Sequence, residues 1–210
     1  MKAVIFDLDG VIVSTDEQHY LGWQALADKL EIPFSREVNN RFRGVSRMAC
    51  MDILEDIGGK CYTDQEKIAY ATWKNDYYRK LLGAMTPADL AEEVKSTLDA
   101  LRARGYKLAI GSSSKNAKFI LERIGLADYF DAVSDGTNIS RSKPDPEVFL
   151  KAAEFLGLQP EDCLVVEDAT AGVDAARAGG MKAAAVGDAA KKSYGDYVLS
   201  GFSDLLKILT

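Results

Sequence analysis

The chain has 210 residues, of which 47% are apolar and 28% charged, and its formal net charge is −6. This composition is typical of a soluble globular protein with one domain, or one domain with an insertion. The acidic balance argues against a nucleic-acid partner, and no apolar run approaches the roughly 18 residues of a membrane helix. We therefore expect neither nucleic acid nor membrane among its partners.

The three cysteines, Cys50, Cys61 and Cys163, are odd in number and form no CxxC pair. They predict neither a disulfide framework nor a zinc site, and a reducing cytoplasm suits them. An apolar run begins directly after Met1 and Lys2, which predicts a core strand rather than a secretory leader. We expect a cytoplasmic protein.

Four short apolar runs, each followed by polar residues, predict buried parallel strands. They cover residues 2–6, 107–111, 163–166 and 182–186. Between them lie amphipathic stretches of helical length, at residues 88–104, 116–125 and 146–157. Strands that alternate with helices predict an α/β fold with a doubly wound, mostly parallel, Rossmann-like core.

The segment 15–84 breaks this alternation, because its pattern is helical throughout. Apolar residues recur there at helical spacing, as at Tyr20, Trp23 and Leu26, and no run reads as a strand. We predict a helical cap domain of residues 15–84, inserted after the first strand of a core domain formed by residues 1–14 and 85–210. The expected hinges are residues 13–16 and 83–87.

Polar residues form four clusters, which we place at the carboxyl ends of strands, where ligands bind in open α/β sheets. The clusters are Asp7 with Asp9, Ser112 to Asn116, Arg141 with Lys143 before Pro144, and Glu167 with Asp168. A single aspartate at a strand end is often only a helix cap or a loop residue. Four clusters together indicate a site that holds a cation.

Carboxylates crowded at one edge repel each other unless a cation neutralises them. Mg²⁺ suits oxygen ligands when water and phosphate complete its coordination. Asp7 then stays ionised and can attack phosphorus. Asp9, two residues on, points to the same side of an extended backbone and is placed to give or take a proton.

Two further side chains complete the predicted chemistry. Lys143 would neutralise charge on the nucleophile and on the phosphoryl oxygens, and Ser112 would donate a hydrogen bond to one of those oxygens. The residue types therefore predict a Mg²⁺-dependent phosphoryl-transfer enzyme with Asp7 as its nucleophile.

The four clusters resemble the four motifs of the haloacid dehalogenase superfamily, in order and over nearly the whole chain. They read Asp7-Leu8-Asp9-Gly10-Val11, Ser112, Lys143-Pro144, and Glu167-Asp168 followed by Ala171-Gly172. The resemblance implies an aspartyl-phosphate intermediate and a helical cap after the first strand. It also implies a Mg²⁺ ion held by Asp7, the Asp9 backbone carbonyl, Glu167 and Asp168.

Within that superfamily the sequence most resembles the β-phosphoglucomutases. The matching residues are Thr15, His19 and Trp23, Gly44-Val45-Ser46-Arg47, Lys74-Asn75-Asp76, Thr86-Pro87-Ala88-Asp89, and Ser114-Lys115-Asn116. The resemblance implies interconversion of β-glucose 1-phosphate and glucose 6-phosphate, with glucose 1,6-bisphosphate as the activating intermediate.

The same resemblance implies roles for individual residues. Arg47, helped by Ser114, Lys115 and Asn116, would hold the phosphate that is not transferred, and Lys74 would contact the substrate. Thr15 and His19 would couple cap closure to the placing of Asp9. The remaining expected substrate-binding residues are Trp23, Gly44, Val45 and Ser113, the last of which stands where the family has a small apolar residue.

Several of these residues also have a purely structural interpretation. His19, the only histidine, could be a surface or capping residue, and Trp23 could belong to the cap's core. Lys74 could be a surface lysine, and Arg47 could be solvated. We expect Arg141 to be a solvated neighbour of Lys143.

Three functions are compatible with the motifs. The first is the mutase, and the second is a sugar-phosphate phosphatase in which water replaces the sugar hydroxyl as acceptor. The third is a binding module that has lost catalysis, which we set aside because every expected catalytic position holds a competent residue. A small phosphorylated sugar is the expected substrate, and a capped monomer suffices for the chemistry.

Overall fold

The computed structural model describes residues 1–42 and 46–209, and this part of the chain has the predicted α/β fold. The strands are β1 Ala3–Phe6, β2 Lys107–Gly111, β3 Ala132–Ser134, β4 Cys163–Glu167, β5 Lys182–Ala185 and β6 Tyr197–Val198. They form one sheet in the order β3-β2-β1-β4-β5-β6, and each neighbouring pair is parallel. The strand order reverses between β1 and β4, which is where open sheets of this type bind ligands.

The register of the central strands brings their carboxyl ends to one level. Phe6, the last residue of β1, pairs with Ile110 of β2 and with Val166 of β4. Every residue of β1 and β4 is buried, which explains why both read as unbroken apolar runs. Residues that directly follow these strands therefore meet at one edge of the sheet.

The described helices alternate with the strands after residue 85. Their bounds are α1 Asp16–Lys29, α2 Arg36–Asn39, α3 Arg47–Gly58, α4 Asp64–Leu82, α5 Glu92–Ala103, α6 Ala117–Arg123, α7 Glu147–Leu156, α8 Thr170–Ala178, α9 Gly187–Lys191 and α10 Leu205–Ile208. Helices α7 and α8 share a core with Ile5 and Val165 on one face of the sheet. On the opposite face α5 packs against β2, and Phe6 stacks on Phe202 with ring centroids 5.7 Å apart. Among the described helices, none is long and apolar enough to cross a membrane.

The chain divides into two compact units. Met1–Ser14 and Met85–Thr210 form one, called here the sheet unit, and Thr15–Ala84 form the other, called here the helical unit. The described residues of the helical unit form only helical segments and loops, in agreement with the sequence pattern. The assignment of these units as core and cap domains, with hinges between them, remains a prediction.

The helical unit has an apolar core of its own. Helix α1 packs against α4, and α3 packs against α4. The core side chains come from all three helices, and Leu26, Met51 and Leu54 are fully buried. Thr63 and Glu66 form a reciprocal capping box that fixes the start of α4.

Two details of the predicted fold were wrong. The single helix expected over residues 88–104 begins instead at Glu92, because Thr86 and Asp89 cap each other around a separate 3₁₀ turn and Leu90 is extended. Strands β3 and β6 were not predicted, since three and two residues are too short to show a strand pattern.

Candidate active site

The predicted nucleophile lies at the end of β1. The Asp7 amide donates to the Val166 carbonyl at 3.0 Å, which continues the sheet pairing by one residue. The chain then turns, because the amides of Ile12 and Val13 both donate to the Leu8 carbonyl, at 3.0 and 3.1 Å. Asp9 is thus held by this turn rather than by a continued strand, and its acid/base role remains a prediction.

Lys143 joins the two buried carboxylates of the site. Its Nζ lies 2.5 Å from Asp7 Oδ1 and 2.5 Å from Glu167 Oε1, and 4.7 Å from the ring centroid of Phe149. Burial disfavours its charge, but the charges of Asp7 and Glu167 outweigh that effect and raise the pKa of Lys143. Lys143 therefore stays cationic. It lies in the long loop between β3 and α7, not at a strand end as predicted, and its peptide bond to Pro144 is cis.

Three carboxylates converge at this edge of the sheet. Oxygen atoms of Asp7, Glu167 and Asp168 all lie within 4.8 Å of one another. Burial, followed by the charges of Glu167 and Asp9, raises the pKa of Asp168 to about 7. Burial also raises the pKa of Asp7, although Lys143 opposes this. The carboxylate of Asp9 is not part of this group, and the predicted coordination through its carbonyl is untested.

These residues fit a magnesium ion. Carboxylate oxygens are the ligands that Mg²⁺ prefers, and a divalent cation would relieve the repulsion that raises the pKa of Asp168. Gly10 leaves room for the Asp168 carboxylate. A side chain at this residue could not, because its Cβ would lie 2.3 Å from Asp168 Oδ2. Gly10 also has a φ of +84°, which other residues rarely adopt.

The loop after β2 contains the predicted phosphate-binding hydroxyls. Ser112 is buried, and its Oγ accepts from the Ser114 amide at 3.2 Å, while Ser114 Oγ accepts from the Asn116 amide at 3.1 Å. Ser113 Oγ accepts from the Lys143 amide at 3.4 Å, so Ser113 links this loop to the lysine's loop. Lys115 is exposed and Asn116 is buried. Their predicted contacts with substrate remain untested.

In the helical unit, the buried Lys74 and the partly buried His19 form a polar pair. Lys74 is 3% exposed, its Nζ lies 3.0 Å from His19 Nδ1, and it lies 4.8 Å from the ring centroid of Trp23. An ammonium group can only donate, so Nδ1 accepts and the imidazole proton is on Nε2. Burial, with the charges of Lys74 and Arg47, lowers the pKa of His19 to about 3. His19 is therefore neutral at physiological pH.

The structure supports the purely structural interpretation for some of these residues and not for others. Lys74 is not a surface lysine, and His19 is neither exposed nor the capping residue of α1, which is Thr15. Trp23 does belong to the core, at 4% exposure and with its ring 5.1 Å from that of Phe42 in an edge-on contact. Arg141 is solvated as predicted, with 70% of its side chain exposed.

Arg47 is the first residue of α3 and is exposed. Its Nη2 donates to Asn75 Oδ1 at 2.8 Å, and Ser46 caps the helix by accepting from the Ala49 amide at 3.2 Å. The side chain is thus held on one side and solvated on the other. The other two binding residues predicted in this segment, Gly44 and Val45, lie outside the described residues.

Sequence reasoning missed Tyr78, which contacts Thr15, His19 and Lys74. One signal was available, because Tyr78 lies four residues after Lys74 and so shares its helix face. It also missed the contact between Arg47 and Asn75, which depends on how α3 packs against α4.

Comparison with known families agrees with this fold. The sequence profile of the haloacid dehalogenase-like hydrolases matches residues 1–180. The chain belongs to this family.

Individual relatives include both mutases and phosphatases. The chain is 41% identical to the β-phosphoglucomutase of Bacillus subtilis, over 98% of this chain and 92% of the relative. It is 32% identical to the fructose-1-phosphate phosphatase of Escherichia coli, over 86% of this chain and 93% of the relative. The crystal structure of a β-phosphoglucomutase from Clostridium difficile is 35% identical and superposes with a TM-score of 0.88, covering 98% of this chain and 93% of that structure.

Proposed function

We propose that this protein interconverts β-D-glucose 1-phosphate and glucose 6-phosphate through an aspartyl-phosphate on Asp7 and β-glucose 1,6-bisphosphate. The observation that carries the chemistry is the buried Asp7 carboxylate, bound by Lys143 beside Glu167 and Asp168. The 41% identity to a β-phosphoglucomutase over nearly the whole chain supports the choice of reaction.

The proposed reaction has two balanced steps. One Asp7 oxygen is held by Lys143, and the other attacks the phosphorus of the phosphate ester. The ester attacked is the C1 phosphate of β-glucose 1,6-bisphosphate: the bond from phosphorus to the C1 oxygen breaks, Asp9 gives that oxygen a proton, and glucose 6-phosphate leaves. The 6-hydroxyl of β-glucose 1-phosphate then attacks the aspartyl-phosphate and loses its proton to Asp9, which frees Asp7 and forms the bisphosphate again.

Lys143 has a specific part in this scheme. Its positive charge stabilises the ionised form of a nucleophile whose burial favours the neutral acid. The same ammonium group lies where it offsets charge that develops on the phosphoryl oxygens. Ser112 donates to one of those oxygens from the neighbouring strand end.

Asp7, Glu167 and Asp168, with the Asp9 carbonyl, are the residues that would hold Mg²⁺. When bound, the ion neutralises the carboxylates and orients the phosphate by binding its oxygens. The protein's contribution is a set of oxygen ligands on adjacent strand ends, beside Gly10, which leaves space for the Asp168 carboxylate that a larger side chain would fill.

The helical unit supplies the groups that recognise the rest of the substrate. Arg47 holds the phosphate that is not being transferred, since a guanidinium grips phosphate through two parallel hydrogen bonds. Lys74 and the neutral His19 bind the sugar phosphate as donors. The contacts of Lys74 with His19 Nδ1 and the Trp23 ring hold its ammonium group in one place, which supports this role.

The alternative is a phosphatase for small phosphorylated sugars. One relative with such an activity, the fructose-1-phosphate phosphatase from Escherichia coli, is 32% identical to this chain. Both functions use the same aspartyl-phosphate and differ only in whether a sugar hydroxyl or water accepts the phosphoryl group. Arg47, His19 and Lys74 together favour the mutase, since the proposed distal phosphate site at Arg47 serves a bisphosphate.

The aspartyl-phosphate can be tested directly. The protein is incubated with β-glucose 1,6-bisphosphate and Mg²⁺, quenched in acid and digested, and the phosphorylated peptide is identified by mass spectrometry. We expect phosphate on Asp7 in the wild type and none in Asp7→Asn, whose circular dichroism should be unchanged. Phosphate on another residue, or an Asp7→Asn variant that turns over near the wild-type rate, would contradict the proposal.

A further inference from the structure

Tyr78 contacts three of the predicted site residues of the helical unit at once. It lies in α4 and is 2% exposed. Its hydroxyl donates to Thr15 Oγ1 at 2.9 Å, and its ring lies 4.2 Å from the His19 ring at an angle of 31°. The Lys74 Nζ is 4.6 Å from the centroid of the same ring.

Each contact restricts a different property of its partner. Thr15 is fully buried, and because Tyr78 donates to it, the Thr15 hydroxyl keeps its own hydrogen for another acceptor. The tyrosine ring attracts the Lys74 ammonium through its negative face. It also covers the His19 imidazole and so limits the water that could stabilise a second proton.

The contacts reinforce one another. Lys74 must point at His19 Nδ1 to donate, and the ring of Tyr78 holds both the ammonium and the imidazole in range. Trp23 contacts the ammonium with a second aromatic ring. One orientation of the Tyr78 side chain therefore makes all three contacts, with Thr15, His19 and Lys74.

We propose that Tyr78 is a positioning residue that holds Thr15 through its hydroxyl and holds His19 and Lys74 through its ring. The functional part of this proposal rests on the proposed function, which assigns the sugar phosphate to His19 and Lys74, and on the expected role of Thr15 in cap closure. The structural part does not, because the state of the imidazole can be measured without any reaction.

The first test uses nuclear magnetic resonance of the imidazole nitrogens. His19 is the only histidine in the chain, so its two nitrogens give unambiguous signals. We expect one neutral tautomer with the proton on Nε2 in the wild type. Tyr78→Leu removes the ring, so the tautomers should mix and the imidazole should titrate nearer its ordinary pKa.

The control is Tyr77→Leu, one residue earlier on the same helix. The Tyr77 ring stacks on Trp73 at 5.6 Å, and no ring contact of Tyr77 with His19 is found among the described residues. This variant should leave the imidazole signals unchanged. A Tyr78→Leu spectrum identical to the wild type would overturn the role of the ring.

The second test keeps the ring, so it does not depend on whether the leucine variant folds. Tyr78→Phe removes only the hydroxyl that holds Thr15. We expect the turnover number for β-glucose 1-phosphate to fall about tenfold, while hydrolysis of acetyl phosphate, which lacks a sugar, changes by less than twofold. Tyr77→Phe should change neither activity.

The outcomes separate the two proposals. Equal sugar-phosphate turnover in Tyr78→Phe and Tyr77→Phe would overturn the role of the hydroxyl, and an equal fall for both substrates would indicate a merely structural role. If the wild type does not turn over the sugar phosphate at all, the proposed function fails. The imidazole signals then still decide whether Tyr78 positions His19.

Discussion

Gly172 faces the Glu167 carboxylate so closely that a Cβ at residue 172 would lie 1.9 Å from Glu167 Oε1. Gly172 is in the first turn of α8, where alanine would otherwise be the better helix former by about 0.5–1 kcal/mol. Glycine at this position therefore lowers the stability of α8 but leaves the space that the Glu167 carboxylate occupies. Only glycine leaves the carboxylate where it accepts from both Lys143 and the Ala169 amide.

This contact predicts the effect of Gly172→Ala. The methyl group must displace Glu167, which separates it from Lys143 and from the other two carboxylates. We expect Mg²⁺ affinity to fall by about tenfold or more, as for changes that disorient metal ligands, and phosphoryl transfer to fall with it. Isothermal titration with Mg²⁺ measures the first effect. Gly179→Ala, at the other end of α8, is the control, since its methyl meets neighbours only at 3.3 Å or more.

Asp168→Asn should stabilise the metal-free protein at neutral and higher pH. Unfolded aspartate ionises near pH 3.9, whereas the folded carboxyl keeps its proton up to about pH 7. Between these values the folded state binds more protons, so its stability falls as pH rises. We expect Asp168→Asn to exceed the wild type by more than about 1 kcal/mol at pH 8 in EDTA, and to match it near pH 4.

Urea denaturation at the two pH values measures this difference, and adding Mg²⁺ should stabilise the wild type but not Asp168→Asn. Asp128→Asn, which removes an exposed carboxylate from the same unit, should match the wild type throughout. Equal stabilisation of the wild type and Asp168→Asn by Mg²⁺ would show that Asp168 is not a ligand.

His19→Gln should remove part of the acid sensitivity of the helical unit. The folded imidazole has a pKa near 3, against about 6.5 when unfolded, so the unfolded state binds more protons between these values. Its contribution to stability is present above pH 6.5 and is lost as pH falls towards 3, at up to about 1.4 kcal/mol per pH unit. Glutamine keeps an acceptor for Lys74 but does not titrate.

The measurement is urea denaturation of both proteins at pH 7 and pH 5. Carboxylates contribute equally to the two proteins, so the change in their difference reports His19 alone. We expect the wild type to lose more stability than His19→Gln. Parallel curves would mean that the imidazole is not held neutral.

The sequence allowed the positions of Asp7, Glu167 and Asp168 to be predicted, because each lies directly after an unbroken apolar run or next to such a residue: Asp7 follows β1, Glu167 ends β4 and Asp168 follows it. The fold class followed from the same runs. Lys143 was assigned to a strand end that does not exist, since it lies well into the loop after β3, and β3 has only three residues. Its contact with Asp7 depends on how that loop folds back.

The helical unit was less predictable for a different reason. Apolar spacing placed its helices, but it could not show which polar side chains the packing of α1 on α4 would bury. Lys74 and Tyr78 share a helix face by spacing alone. Their contacts with His19 and Thr15 join residues more than fifty positions apart in the chain, and no local pattern contains them.

Arg47→Ala should separate the two candidate functions. In the mutase, a bisphosphate needs a fixed cation for the phosphate that is not reacting. Losing a charge-assisted pair costs roughly 2–5 kcal/mol when its partner is left unpaired, so we expect mutase turnover to fall by a factor of about a hundred or more. Arg47→Lys should restore mutase turnover only in part, because an ammonium group cannot form the two parallel hydrogen bonds that a guanidinium makes with phosphate.

The control for this prediction is the exposed Arg41, in the 3₁₀ turn Asn40–Phe42, whose replacement by alanine should leave both activities unchanged. Acetyl phosphate hydrolysis should fall much less than mutase turnover in Arg47→Ala, because only the site at Asp7 is used. An equal fall in both activities, or no fall in either, would remove Arg47 from the distal phosphate site and favour the phosphatase.

The fate of the phosphoryl group tests the proposed function most directly. β-Glucose 1-phosphate is supplied with Mg²⁺, with and without glucose 1,6-bisphosphate, and both glucose 6-phosphate and free phosphate are measured in the same reaction. The account predicts that glucose 6-phosphate is the main product, that the bisphosphate accelerates its formation, and that EDTA stops it. Free phosphate released in step with substrate loss, with no glucose 6-phosphate, would contradict the mutase and establish the phosphatase.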